Sequence, residues 1–305
     1  MGEHPGIQLS ELLDHGDPDA ILACVEDLYR FFYDPQAFTP VANTFCRIEE
    51  LFRGDFPGYR GCNTEYHDLF HTLDIFLATS RLIDGRNLGE KLFAERMATD
   101  LLLAALLHDT GYIQEMSDTV GTGARHTKMH VYRSMAFVQK NAAYLDLPPE
   151  EVETICRLIN CTGLQIDCRV ECRLPEETVA GSILGTADLL GQMSDRAYLE
   201  KLLFLYYEFR EGGFEGYETE FDILRKTLVF YESIMDRLNN TLLSSYRYVE
   251  NHFAVRHCVR ENLYLKAINR QMAYLKEIIR DESSNFRAKL KRLNLNEAEK
   301  RYKTP

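Results

Sequence analysis

The chain has 305 residues, of which 45% are hydrophobic, and a formal net charge of −12. That length and apolar content are enough for a full buried core in one or two domains, and they exclude a disordered or low-complexity chain. The acidic balance repels polyphosphate backbones and argues against nucleic-acid binding as the main activity.

No run of about 20 apolar residues is present, so no spanning helix is expected. Residues 1–20 are polar and acidic, unlike a signal peptide, and Gly2 lacks the Ser or Thr at position 6 that a myristoylation start needs. A cytoplasmic location without membrane contact is the expectation. Eight cysteines then read as reduced thiols. Cys156, Cys161, Cys168 and Cys172 lack paired CxxC spacing and read as core or loop thiols.

In chain order, residues 1–60 form an N-terminal helical cap. Apolar residues recur at Ile21, Leu22, Val25, Leu28 and Phe32 in a first helix, and a second runs over 40–52. The Gly/Pro-rich stretch 54–61 stops it. A core of residues 61–240 follows. Its first helix starts near Glu65 and runs to about Ile83, ending in a turn at Asp84-Gly85-Arg86-Asn87. On such a helix His67, His71 and Asp74 share a face.

An almost unbroken apolar run, 101–107, comes next in a helix predicted over 91–109, and it ends in His108-Asp109. Residues 110–125 have no periodic pattern and read as an irregular loop. His126 and His130, four apart, open a helix over 125–140 on one face. Pro148-Pro149 starts another that reaches Cys161, and residues 162–175 read as a polar loop. The helix opening at Pro175 carries Asp188 among apolar neighbours.

Further helices are expected over 198–209 and 218–240. Residues 241–305 are C-terminal helices packed on the core and ending in a basic tail, with seven Lys and Arg against two Glu in 285–305. The tail reads as a solvated terminal helix, and a homodimer through the long C-terminal helices is one option. No segment of convincing length has strand periodicity. The fold class is therefore all-α, in a single compact domain.

Carboxylates and imidazoles buried together cost about 2–7 kcal/mol unless compensated. A divalent cation compensates them, and imidazole plus carboxylate suits Zn, Fe, Mn or Mg, one or two per chain. His71, then His108-Asp109, then Asp188 resemble the H…HD…D metal set of the HD-domain phosphohydrolases. Tyr66-His67-Asp68-x-x-His71-x-x-Asp74 is similar to the Y-H-N-x-x-H-x-x-D signature of the class I cyclic-nucleotide phosphodiesterases. Residues 155–162 and Ala187-Asp188-Leu189 continue the resemblance in order, which covers about residues 63–210.

This resemblance implies a metal-dependent phosphohydrolase acting on a small phosphoester, such as a 3',5'-cyclic nucleotide. It implies that His71, His108, Asp109 and Asp188 hold the first metal and that His67 protonates the leaving oxygen. His126, His130, Thr162 and Asp74 become candidates for a second metal or its surroundings, and Tyr66, Tyr112 and Phe230 for substrate contacts.

Three positions depart from the family. Asp68 stands for its asparagine, Tyr112 for a histidine, and Thr227 falls near its purine-reading glutamine. An HD-type nucleotidase or phosphomonoesterase, a non-catalytic regulatory HD domain and an HD-fold di-iron oxygenase remain as alternatives.

Overall fold

A computed structural model describes residues 7–89, 92–281, 285–293 and 295. Residues 1–6, part of the leaderless N-terminal reading, lie outside the described residues, as do residues 296–305 of the basic tail. The twelve α-helices among the described residues are α1 (Pro18–Arg30), α2 (Thr39–Arg53), α3 (Leu69–Gly89), α4 (Glu95–Leu107), α5 (His130–Asn141) and α6 (Pro149–Asn160), then α7 (Cys168–Glu171), α8 (Pro175–Ser194), α9 (Tyr198–Glu211), α10 (Glu220–Asn240), α11 (Tyr248–His257) and α12 (Leu263–Arg280). The only pairing of strand type described is a single bridge between Tyr59 and Glu115. The fold is all-α in one compact domain, as expected. No described helix is long and apolar enough to cross a membrane.

Helix starts follow local chemistry. Asp17 accepts from the Ala20 amide ahead of Pro18, and Asn262 accepts from Leu265 at the head of α12. The apolar positions of α1 and α2 face inward, while α3, α4 and α8 are buried nearly all round and form the centre. The apolar face of α12 is used inside the chain, with Leu263, Tyr264, Ile268, Met272, Leu275 and Ile278 buried.

The expected turn at residues 84–87 does not exist; α3 runs through it to Gly89. Each of the four residues is held by packing that outweighs its turn preference. Asp84 pairs with His252 Nδ1 at 2.7 Å and with Arg256 Nη2 at 2.6 Å. Gly85 admits the backbone of α11, since a Cβ there would lie 1.8 Å from the Tyr248 carbonyl oxygen. Arg86 stacks 3.7 Å from the Phe93 ring centroid, and Asn87 donates to Tyr33 Oη at 2.8 Å.

Gly85→Ala is therefore expected to force α3 and α11 apart. Its cost should be at least the ~1–3 kcal/mol of an overpacked core, read as a lower urea midpoint.

A second prediction concerns Asp100 on α4, whose side chain is only 4% exposed. Burial pushes its carboxyl up to about 7, against the pull of Arg96, which lies 3.5 Å away and is shared with Glu151. The unfolded chain loses this proton near pH ~3.9. Between pH ~4 and 7 the folded state thus holds a proton that the unfolded state does not, and stability falls as pH rises.

Asp100→Asn should stabilise the chain at pH 8 by on the order of 2–4 kcal/mol, at about 1.4 kcal/mol per pH unit, and change it little near pH 4. Urea unfolding at the two pH values measures the difference.

Candidate metal centre

The N-terminal end of α3, the C-terminal end of α4 and the middle of α8 meet at one buried point. His71 Nε2 lies 3.3 Å from Asp109 Oδ2, and His108 Nε2 lies 3.4 Å from the same oxygen. Asp188 Oδ1 stands 3.9 Å from His71 Nε2 and 4.0 Å from His108 Nε2. Donors from three segments distant in sequence thus gather here, and ligand atoms of His71, His108 and Asp188 lie within 4.8 Å of one another. His71, His108 and Asp109 are buried, and Asp188 is 18% exposed.

Two observations show that a cation fits this group. His108 Nε2 and Asp109 Oδ2 are buried with no hydrogen-bond partner, a costly state that a metal ion would relieve. His108 Nδ1 also donates to the Ala105 carbonyl at 2.8 Å, fixing the tautomer that leaves the Nε2 lone pair directed at the carboxylates. Spacings of 3.3–4.0 Å between nitrogen and oxygen donors suit ligand bonds of about 2.0–2.2 Å.

Without a cation, the electrostatics show the same coupling. Burial works against a charged His108, yet Asp109 outweighs it and the imidazole is raised to about 9. Burial likewise works against a charged Asp109, and His108 and His71 together hold it well below the usual carboxylate range.

His67 lies outside α3, two residues ahead of its first turn, whereas the sequence reading placed it on the helix. The cause is Asp68, whose Oδ1 accepts from the His71 amide at 2.8 Å and so caps the helix behind His67. Freed from the helix, His67 is gripped on both sides. Its Nδ1 lies 2.6 Å from Glu208 Oε2, and its Nε2 lies 3.3 Å from Tyr112 Oη. Ligand atoms of His67, His71 and Asp109 still lie within 4.8 Å of one another. Burial disfavours the imidazolium, but Glu208 outweighs that and the net shift is upward.

Asp74 does not join the group. It is displaced along α3 by about 4.5 Å from His71, and its carboxylate takes His15 Nδ1 of the N-terminal segment at 2.5 Å.

The sequence reading also overextended the helix carrying His126 and His130. Residues Gly123–His126 form a 3-10 turn, α5 starts only at His130, and the two imidazoles part. His126 Nε2 pairs with Asp118 at 3.0 Å, away from the centre. His130 stays close, its Nε2 3.8 Å from Asp109 Oδ1 and its Nδ1 donating to the Thr127 carbonyl. Thr162 donates to the Ile159 carbonyl at 2.8 Å and serves the end of α6.

Of the residues assigned to substrate, Tyr66 is 2% and Tyr112 1% exposed, so both act as walls rather than as open contacts. Tyr66 donates to Gln192, whose amide in turn donates to Asp188 Oδ1 at 3.3 Å. Tyr112 stacks against His67 at 4.1 Å and His130 at 4.9 Å, two rings that themselves lie 6.3 Å apart. Phe230 is half-buried on α10 against the core, and Thr227 donates its hydroxyl to the Ile223 carbonyl.

Glu208 is the residue that the sequence reading missed. It is fully buried on α9 and accepts from the Tyr66 amide with one oxygen while holding His67 with the other. A signal was present: a lone acid in the apolar and aromatic run 202–209, the same anomaly that marked Asp188.

The architecture is that of a phosphodiesterase-like helical fold. The phosphodiesterase domain of the RhoPDE fusion protein from the choanoflagellate Salpingoeca rosetta is similar to this chain with a TM-score of 0.51 at 12% identity, over 86% of this chain and 92% of that one. At that identity the likeness is one of fold. Residues 115–266 match the model of the Npun_R2479-like family, a span that begins after His108-Asp109 and includes His130, Asp188 and Glu208. No curated protein matches the chain.

Proposed function

We propose that the chain is a metal-dependent phosphohydrolase that cleaves a phosphodiester, with 3',5'-cyclic nucleotides the first substrates to try. The observation that carries this reading is the pair of unpartnered buried atoms, His108 Nε2 and Asp109 Oδ2, facing His71 and Asp188 in a phosphodiesterase-like fold. His71, His108, Asp109 and Asp188 would hold the cation. A divalent ion bound there supplies Lewis acidity toward a phosphoryl oxygen and lowers the pKa of water from 15.7 toward about 7.

The rest of the chemistry belongs to the side chains around it. His67 presents Nε2 toward the centre, and its Nδ1–H is held by the Glu208 carboxylate. The imidazolium so favoured donates the Nε2 proton to the departing alkoxide oxygen. Tyr112, stacked on the ring, fixes its plane. Gln192 orients Asp188 from behind and ties it to Tyr66. No amide stands at position 227 to read a purine, so this reading does not restrict the base.

A second cation would find Asp109 Oδ1 and His130 as protein donors, since His126 and Thr162 are occupied elsewhere. That thin set supports one resident ion and weighs against a di-iron oxygenase.

The test is elemental analysis of the full chain followed by turnover on cyclic nucleotides, a generic diester and a monoester. One Zn, Mn, Mg or Fe per chain with faster diester cleavage is the expected result. Preference for the monoester would move the reading to a nucleotidase. A coloured, iron-dependent preparation that consumes oxygen would overturn hydrolysis, and no turnover after metal reconstitution would favour a regulatory domain.

A further inference from the structure

Away from the metal centre, three of the eight cysteines gather at the segment that joins α6 to α8. Cys161 ends α6 and is fully buried, Cys168 opens the short α7 and is fully buried, and Cys172 follows α7 and is partly exposed. The Sγ atoms of Cys161 and Cys172 lie 3.8 Å apart, in contact but unbonded. Their packing depends on Gly181 of α8, where a Cβ would sit 2.6 Å from Cys161 Sγ and 3.3 Å from Cys172 Sγ.

The segment that carries them is held in a fixed shape. The Arg237 guanidinium of α10 donates to four of its carbonyls, those of Cys161, Gly163, Leu164 and Ile166, at 2.9–3.0 Å. The clamp fixes the Cys161 end of the segment, and the sulfurs must close from 3.8 Å to the ~2.05 Å of a disulfide. The Cys161 carbonyl also lies against α8 at Gly185, where a Cβ would be 2.8 Å from it, one helical turn before Asp188.

We propose that Cys161 and Cys172 are a redox-active dithiol that a hydroperoxide converts to an intramolecular disulfide. Cys172, the exposed member, attacks a peroxide oxygen as its thiolate. One oxygen leaves as water and the other stays on sulfur as the sulfenic acid. Cys161 then attacks that sulfur, forming the S–S bond and releasing the second oxygen as water. With hydrogen peroxide the balance is two thiols plus H2O2 giving one disulfide plus two waters. A dithiol reductant reverses it by exchange. The bond would tie the end of α6 across α7 to the start of α8 and stiffen the wall behind Asp188.

The experiment treats the full-length reduced chain with hydrogen peroxide, alkylates the remaining thiols and maps peptides without reduction. The expected result is the loss of two alkylatable thiols, a peptide joined through Cys161 and Cys172, and recovery of both thiols with dithiothreitol. The exposed Cys46 and Cys258 remain the reference for unassisted oxidation. Cys172→Ser should abolish the linked peptide while Cys161 stays alkylatable after unfolding. Oxidation of Cys46 and Cys258 while Cys161 and Cys172 stay free would overturn the proposal, and so would a bond through Cys168. The wild-type map decides the matter even if the variant fails to fold.

Discussion

Asp109→Ala is expected to strip the chain of its metal and take diester hydrolysis below detection. Asp109 is the one carboxylate that both imidazoles approach within 3.5 Å, and its second oxygen faces His130 at 3.8 Å. Its removal takes away the carboxylate oxygen nearest to both imidazoles and leaves Asp188, 3.9–4.0 Å from them, as the one charged donor of the set. Metal content by elemental analysis falls from one ion per chain to none.

The fold itself should survive. In the metal-free wild type, Asp109 is what lifts His108 to about 9, against burial. Once Asp109 is gone, burial opposes the charge on His108 with Asp188 at 4.0 Å left to favour it, so its pKa falls. The pair's contribution to metal-free stability has a definite sign. A histidine raised above its unfolded ~6.5 stabilises fully below that value and loses the effect as pH rises through about 9.

Asp109→Ala should therefore remove a decline in metal-free stability between pH ~6.5 and 9. Full metal retention in the variant, with a normal far-ultraviolet spectrum, would show that Asp109 is not a ligand.

Three of the four proposed metal donors, His108, Asp109 and Asp188, stand out in the sequence because they break a local rule. Asp188 interrupts an apolar stretch of α8, and His108-Asp109 terminates the most apolar run in the chain. Such anomalies cost free energy unless something meets them, so they can be read without a structure. Glu208 breaks the same rule on α9 and could have been read the same way.

What the sequence did not disclose is set by tertiary contacts. The turn residues Asp84, Gly85, Arg86 and Asn87 obey no local preference, because α11 and Tyr33 supply partners from far along the chain and Phe93 one from just beyond the helix. His126 and His130 have the spacing of a shared helix face, but Asp118 draws one of them off into a 3-10 turn. Asp74 has the right spacing as well, and the N-terminal segment takes it through His15. Spacing gives which residues can share a face, and only a partner decides whether they do.

His67→Ala and Glu208→Gln separate the two jobs in the proposed proton transfer. Losing a general acid costs about 10²–10⁴ in turnover, and His67→Ala should lie in that range with metal content unchanged. His67 hydrogen-bonds to Glu208 and Tyr112, so its removal leaves the four donors in place. Glu208→Gln is nearly the same size and retains an oxygen for the Tyr66 amide, but it removes the negative charge at 2.6 Å from Nδ1.

That charge is what outweighs burial and raises the His67 pKa. A general acid must carry its proton, so activity falls as pH rises through its pKa. Without Glu208 the pKa drops, and the alkaline limb of kcat should move to lower pH, with a deeper loss at pH 8 than at pH 6. A merely structural Glu208 would lower activity evenly across pH. Wild-type turnover in His67→Ala on a good diester would remove His67 from the chemistry and leave Glu208 as packing, while the metal donors would stand unaffected.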